Sequence, residues 1–149
     1  MANKTTVSNP YNFNINRNTS FSTTINAVLP DKETVLYEAS DYTNEFIDLV
    51  IPSGVKVVKV YCFAEIIEQD DNFVAEASIK SYINDKFNKL WAVAGINGNG
   101  TDEITRYVGV TPGKTYRLSV LCGSELGGAY LNISYSSTIN AHAVDVEDY

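Results

Sequence analysis

The densest group of side chains that could carry chemistry is a set of carboxylates between positions 65 and 76. Its members are Glu65, Glu68, Asp70, Asp71 and Glu76. Carboxylate oxygens suit calcium, and a facing pair of carboxylates can hydrolyse a glycosidic bond. The spacing matches no EF-hand loop, and closeness in sequence does not set two carboxylates face to face. We therefore interpret these residues as a solvated acidic loop.

Nucleophilic catalysis and metal binding find little support elsewhere in the sequence. The chain has one histidine, His142, and no Gly-x-Ser-x-Gly elbow. Its two cysteines, Cys62 and Cys122, lack the spacing of a zinc site. Because no export signal is visible, we expect both to be reduced and buried, although a bridge between adjacent strands stays open. The sequence thus predicts no catalytic residue, no metal and no cofactor.

Three aromatic residues lie close together in sequence and could bind a ligand without catalysis. They are Tyr82, Phe87 and Trp91. Aromatic rings on the face of a sandwich can stack on sugar rings or anchor a protein interface. Trp91, however, stands in an apolar run over residues 90–93, which favours a place in the core. A glycan platform and core packing are both open interpretations of this ring.

The charge of the chain narrows the range of partners. Its 149 residues carry a formal net charge of −7, and the basic residues form no stripe or cluster. Nucleic acids and anionic lipids are bound mainly through clustered Lys and Arg, so we expect neither partner. No run of 18 apolar residues and no secretory leader is visible. These features favour a protein made in the cytoplasm.

Alternating apolar and polar residues predict the short strands that would position these side chains. The pattern is clearest in residues 116–122, after a turn at Pro112 and Gly113, and in residues 45–51, where Phe46 and Asp48 share one side. Eight to ten such strands predict an all-β fold, an antiparallel β-sandwich or a jelly roll. Over residues 73–96 we choose a hairpin turning at Asn84 and Asp85, and one short helix within residues 83–96, packed on the sandwich, is the alternative.

The two ends of the chain differ in composition from the middle. Residues 1–30 contain two basic residues and no acid, and apolar side chains alternate with asparagines between positions 11 and 16. This stretch is either the first strand of the sandwich or an arm that adds to a neighbour's sheet. Its candidate docking residues are Tyr11, Phe13, Ile15 and Phe21. We divide the chain into this segment, a sandwich over 31–137, and an acidic tail over 138–149.

Two short segments of the sequence resemble parts of a known group of β-domains. Residues 49–55, followed by Val58, Lys59 and Val60, resemble the strand, Pro-x-Gly-Val turn and strand of β-domains in bacteriophage tail-fibre and other virion surface proteins. Residues 110–116 resemble a later turn of the same domains, so the resemblance covers about residues 45–122. The second segment is also similar to fibronectin type III domains, in which a tyrosine packs at a corner of the sandwich. Tyr116 would occupy that place here.

The resemblance implies a non-enzymatic structural protein of a bacteriophage virion, such as a capsid decoration protein, a head fibre or a tail-fibre domain. It would be assembled in the host cytoplasm, dock on other virion proteins and form a homo-oligomer. Residues 63–68 depart from the glycine-rich insert common in the phage domains, which weakens a receptor-binding role. The alternative is a carbohydrate-binding module with an aromatic platform around Trp91, for which a host-surface glycan is the candidate ligand.

Overall fold

A computed structural model describes residues 31–67, 73–125 and 127–147 of the chain. These residues form nine strands and one short helix. The strands are β1 (Thr34–Ser40), β2 (Thr43–Val50), β3 (Val57–Ile66), β4 (Val74–Ile83), β5 (Lys86–Asn97), β6 (Gly100–Gly109), β7 (Thr115–Ser124), β8 (Gly127–Tyr135) and β9 (Val146–Glu147); the helix is α1 (Ser137–Asn140). The predicted docking residues Tyr11, Phe13, Ile15 and Phe21 lie outside the described residues.

The strands form two packed sheets with the nested order of a jelly roll. One sheet has the order β1-β8-β3-β6-β9 and the other the order β2-β7-β4-β5. β1 pairs with β8, β2 with β7, β3 with β6 and β4 with β5, all antiparallel, so the chain folds back on itself about its middle. β9 adds to β6 in parallel at one edge. The predicted all-β sandwich is confirmed, in its jelly-roll form.

The core lies between the two sheets and follows from the alternation in the strands. Along β3, residues at every second position point inward and are almost completely buried. β7 and β8 show the same pattern, which places their intervening side chains on the outer faces. The fully buried side chains of largest volume include Trp91, Ile79, Leu118, Leu131 and Ile133. Each sheet therefore presents one inner, apolar face and one outer face.

The choice of a hairpin over residues 73–96 is confirmed. β4 and β5 pair through a two-residue turn, with Ile83 opposite Lys86. Asn84 and Asp85 have φ values of 52° and 62°, as a type I′ turn requires, and these two residue types tolerate that conformation. The helical alternative is wrong for this segment, and the one short helix of the described residues follows β8 instead.

The two Pro-containing turns of the sequence lie side by side at one end of the sandwich. Gly113, with φ 80°, donates its backbone N–H to the carbonyl of Ile51 at 2.8 Å, and Ile51 N–H donates to the carbonyl of Lys114 at 2.9 Å. Tyr116 is buried beside this turn, and its hydroxyl accepts the N–H of Thr111 at 2.9 Å. Tyr116 therefore packs at a corner of the sandwich, as expected from residues 110–116.

The segment after β8 packs on the five-stranded sheet. Ser136 caps α1 by accepting the N–H of Ile139 at 3.1 Å. The amide of Asn140 accepts the N–H of Lys56 at 2.6 Å and thereby fixes the loop between β2 and β3. The imidazole of His142 stacks on Tyr107 with 3.6 Å between ring centroids. Part of the segment predicted as an acidic tail thus contains α1 and β9.

Candidate functional site

The outer face of the four-stranded sheet carries an exposed group of aromatic and basic side chains, which we call the aromatic patch. Two neighbouring rows of cross-strand partners build it. One row consists of Phe46, Ser119, Lys80 and Leu90, and the next of Asp48, Arg117, Tyr82 and Phe87. The rows arise because strand pairing brings outward-pointing side chains from four strands into line. Phe46 and Ser119, which are direct cross-strand partners here, are 73 positions apart in sequence.

The rings of the aromatic patch contact one another edge to face. Tyr82 lies between Phe46 and Phe87, with centroid distances of 5.1 and 6.2 Å and interplanar angles near a right angle. The guanidinium of Arg117 stands over the ring of Phe46 at 5.0 Å, a cation–π arrangement. Phe46 remains 49% exposed and Phe87 57% exposed. The rings are held in place by each other and are still open to solvent.

Two shallow hollows lie on either side of Tyr82. One, of about 220 Å³, is lined by Phe46, Tyr82, Asp85 and Arg117. The other, of about 330 Å³, is lined by Lys80, Tyr82, Phe87 and Leu90. These side chains can stack, donate hydrogen bonds and neutralise an anionic group.

Trp91 lies outside the aromatic patch. Its side chain is fully buried and meets Tyr116 edge to face at 5.4 Å. Its indole N–H is also buried and has no hydrogen-bond partner among the described residues. The core interpretation of Trp91 is confirmed, and its predicted use as a glycan-stacking ring is wrong, since β5 turns this side chain inward. Tyr82 and Phe87, the other two predicted stacking residues, do lie together.

Phe46 and Arg117 complete the patch and were not among the candidate residues. A signal for Phe46 is present in the sequence, because its alternation with Ile47 and Leu49 sets a large aromatic ring on the side of Asp48. Strand pairing then brings Phe46 close to Tyr82, although β2 and β4 are not hydrogen-bonded neighbours. Their contact follows from the order of the strands in the sheet, which the alternation of residues within one strand does not predict.

Both cysteines are free thiols on the inner faces of opposite sheets. Burial raises the pKa of the Cys62 thiol to about 12, with a smaller contribution from Cys122. Burial likewise raises the pKa of Cys122 to about 11, with a contribution from Asp41. The predicted buried, reduced state is confirmed. Neutral, enclosed thiols of this kind are poor nucleophiles and poor metal ligands.

The acidic residues between positions 65 and 76 are only partly described. Glu65 lies on β3 and Glu76 on β4, which belong to different sheets, whereas residues 68–72 fall outside the described ranges. Within the described ranges no group of His, Cys, Asp and Glu has the arrangement of a metal site. In the same ranges no helix combines the length and apolar character needed to cross a membrane.

The outer face of the five-stranded sheet, which we call the tyrosine face, is built differently. Tyr61 donates its hydroxyl to Glu103 at 2.8 Å, and Tyr130 donates its hydroxyl to Glu38 at 3.0 Å. Asn132 is the cross-strand partner of Tyr61, and its side-chain N–H donates to the Tyr130 oxygen at 2.9 Å. Most phenols of this face thus have a partner within the fold, and the face offers less open apolar surface than the aromatic patch.

Comparisons with known proteins give no indication of function. A scan against protein-family models, a search of curated proteins and a search of solved structures each find no match to this chain.

Proposed function

We propose that this chain is a non-enzymatic structural protein of a bacteriophage virion, of the capsid decoration, head-fibre or tail-fibre type. It docks on neighbouring virion subunits through the aromatic patch. The observation that carries the proposal is the exposure of Phe46 and Phe87 on either side of Tyr82 on the outer face of one sheet. Aromatic rings and arginine are the residues that contribute most to binding energy at protein interfaces.

Two further features support this function. The jelly roll is a recurrent fold of virus capsid domains, although it also occurs in lectins and other proteins, so the support is by analogy. The turns at Pro52 and at Pro112, which carry the resemblance to phage surface domains, pack against each other through Ile51 and Gly113.

Density-gradient sedimentation of phage particles tests the proposal. A culture that produces the particles would express the tagged chain, either wild type or with Phe87→Ser. We expect the wild-type chain to sediment with the particles and the variant to lose about tenfold in occupancy, since removing one central aromatic ring from an interface costs about 1.4 kcal/mol or more. Val35→Ser is a matched control, because Val35 is also about half exposed but lies on the other sheet. A wild-type chain that stays in the soluble fraction would contradict the proposal.

Glycan binding at the same patch is the second candidate function. It is favoured by the juxtaposition of Tyr82 and Phe87, with Asp85 and Arg117 beside them to bond sugar hydroxyls. Titration calorimetry with host-surface glycans tests this second candidate, with the wild-type chain and the Phe87→Ser variant compared. Heat of binding that Phe87→Ser abolishes, together with no association with particles, would replace the structural role by a carbohydrate-binding one. Trp91 fluorescence is a poor probe for this purpose, because that ring is buried.

A further inference from the structure

The two sheets have four lateral edges, and such edges are where a β-protein accepts an additional strand. In the part of the chain that the structure describes, the edge strands are β1 and β9 in one sheet and β2 and β5 in the other. Natural sandwiches protect their edges with bulges, lysines, very short strands or covering groups. The four edges of this protein differ sharply in that respect.

Three of the edges are protected. β1 has an irregularity in its pairing between Val35 and Tyr37, and β9 is only two residues long. β5 has two irregularities opposite β4 and carries two lysines, Lys86 and Lys89. The backbone N–H of Gly95 near its end is already bonded to a side-chain oxygen of Asp102 at 3.0 Å. Bulges and such caps interrupt the regular spacing that an added strand needs.

β2 is the regular edge. Its eight residues pair with β7 in eight consecutive steps without a bulge, and it contains no proline and no lysine. Two of its apolar side chains point to the outer face, Phe46 and Val50, and Val50 is 60% exposed. Its charged residues are both acidic, Glu45 and Asp48. An added strand would therefore need apolar residues at alternate positions and no acidic residue.

We propose that the β2 edge accepts residues 9–17 of a second copy of this chain as an added strand. In that segment Tyr11, Phe13 and Ile15 alternate, and these side chains would lie beside Phe46 and Val50. The whole of residues 1–30 contains two basic residues, Arg17 among them, and no acid, which complements β2. Sixteen residues, 18–33, separate this segment from β1, and a chain of that length can span up to about 50 Å when extended. The inference rests on the proposed function, since it specifies how neighbouring subunits are joined.

A symmetric pairing of two β2 strands fits the edge less well. Antiparallel self-pairing would bring together two strands that each carry two acidic residues and no basic residue, and like charges on neighbouring strands are unfavourable. The N-terminal segment has no acidic residue to create that repulsion. Charge complementarity therefore separates the two occupants.

Photo-crosslinking of the full-length chain tests the inference. The photoreactive residue p-benzoylphenylalanine would replace Val50, and in a control it would replace Val93, an exposed valine on the opposite edge strand of the same sheet. Equal amounts of ¹⁴N- and ¹⁵N-labelled protein are mixed and irradiated, and the linked peptides are identified by mass spectrometry. We expect position 50 to link to residues 9–17 in mixed-isotope pairs, about tenfold more than position 93, because a docked segment has a millimolar local concentration.

Each other result overturns the inference. Mixed pairs between two β2 strands would indicate the symmetric dimer, and pairs of a single isotope would place the segment on its own chain. Equal yields from positions 50 and 93 would show that the segment has no preference for the β2 edge. If an Arg17→Glu variant cross-linked at position 50 as well as the wild type does, charge complementarity would not select this occupant. None of these outcomes affects sedimentation of the chain with particles, so the proposed function would stand or fall separately.

Discussion

The two outer faces of this sandwich use aromatic residues in opposite ways. On the tyrosine face, phenol groups donate to Glu38 and Glu103, so the rings are tied to their own sheet. On the aromatic patch, Phe46 and Phe87 have no polar group and are about half exposed, so their apolar area remains in water. A partner can bury that area with a gain of about 25 cal/mol per Å².

The two faces therefore differ in what they contribute to folding and to binding. A ring that is packed and hydrogen-bonded within the fold contributes to the free energy of unfolding, and its removal also leaves partners unpaired. A ring held only by edge-to-face neighbours at the surface contributes little to folding but can contribute much to association. The tyrosine face should therefore tolerate substitution poorly in the isolated chain, and the aromatic patch should tolerate it well.

The largest expected effect compares Tyr130→Ala with Phe87→Ala. Tyr130→Ala removes a hydrogen bond to Glu38, leaves the amide of Asn132 without its acceptor and removes a ring 6.2 Å from that of Tyr61. We expect a loss of about 2–3 kcal/mol in the free energy of unfolding. Phe87→Ala should cost about 0.5–1 kcal/mol. Urea denaturation of both variants measures the difference, and equal losses would erase the distinction between the faces.

The sequence predicted the strands of this fold better than the surfaces. Alternation around Tyr116 and Leu118 identified strands, and Asn84 identified the hairpin turn, because these signals act over a few residues. The patch depends on the order of strands in a sheet, which brings Phe46 close to Tyr82 across β7. The two pairing irregularities in β5 are a second limit, since they displace the simple period-two pattern near Trp91. Neither the order of the strands nor the position of a bulge can be predicted from the residue pattern within one strand.

A second, intermediate effect is the loss of stability at alkaline pH. Burial, aided by a hydrogen bond to Glu45, raises the pKa of Tyr37 from 10.0 to about 12 in the folded chain. The hydrogen bond to Glu103 raises the pKa of Tyr61, and burial raises those of the two thiols. Because the folded pKa values lie above the unfolded ones, stability is fully present below about pH 9 and falls as pH rises towards 12.

The measurement is the free energy of unfolding between pH 8 and 12 by urea titration. Each proton lost only from the unfolded chain lowers stability by about 1.4 kcal/mol per pH unit. We expect Tyr37→Phe to flatten the profile above pH 10 and Phe87→Ala to leave its shape unchanged. A profile that Tyr37→Phe does not alter would mean that this phenol does not couple to folding.

The smallest effect concerns the ion pair that each face carries. Arg117 and Asp48 in the aromatic patch approach to 3.4 Å, and both side chains are largely exposed, whereas Lys59 and Glu33 beside the tyrosine face approach to 2.7 Å. An exposed ion pair contributes about 0–1 kcal/mol and is screened by salt. Asp48→Asn should therefore change the free energy of unfolding by about 0.3 kcal/mol or less, and Lys59→Gln by up to about 1 kcal/mol, both smaller at high salt. We expect this order because an ion pair that water already solvates adds little to stability until a second surface covers it. A larger loss for Asp48→Asn than for Lys59→Gln would indicate instead that the charges of the patch stabilise the fold and do not serve a partner.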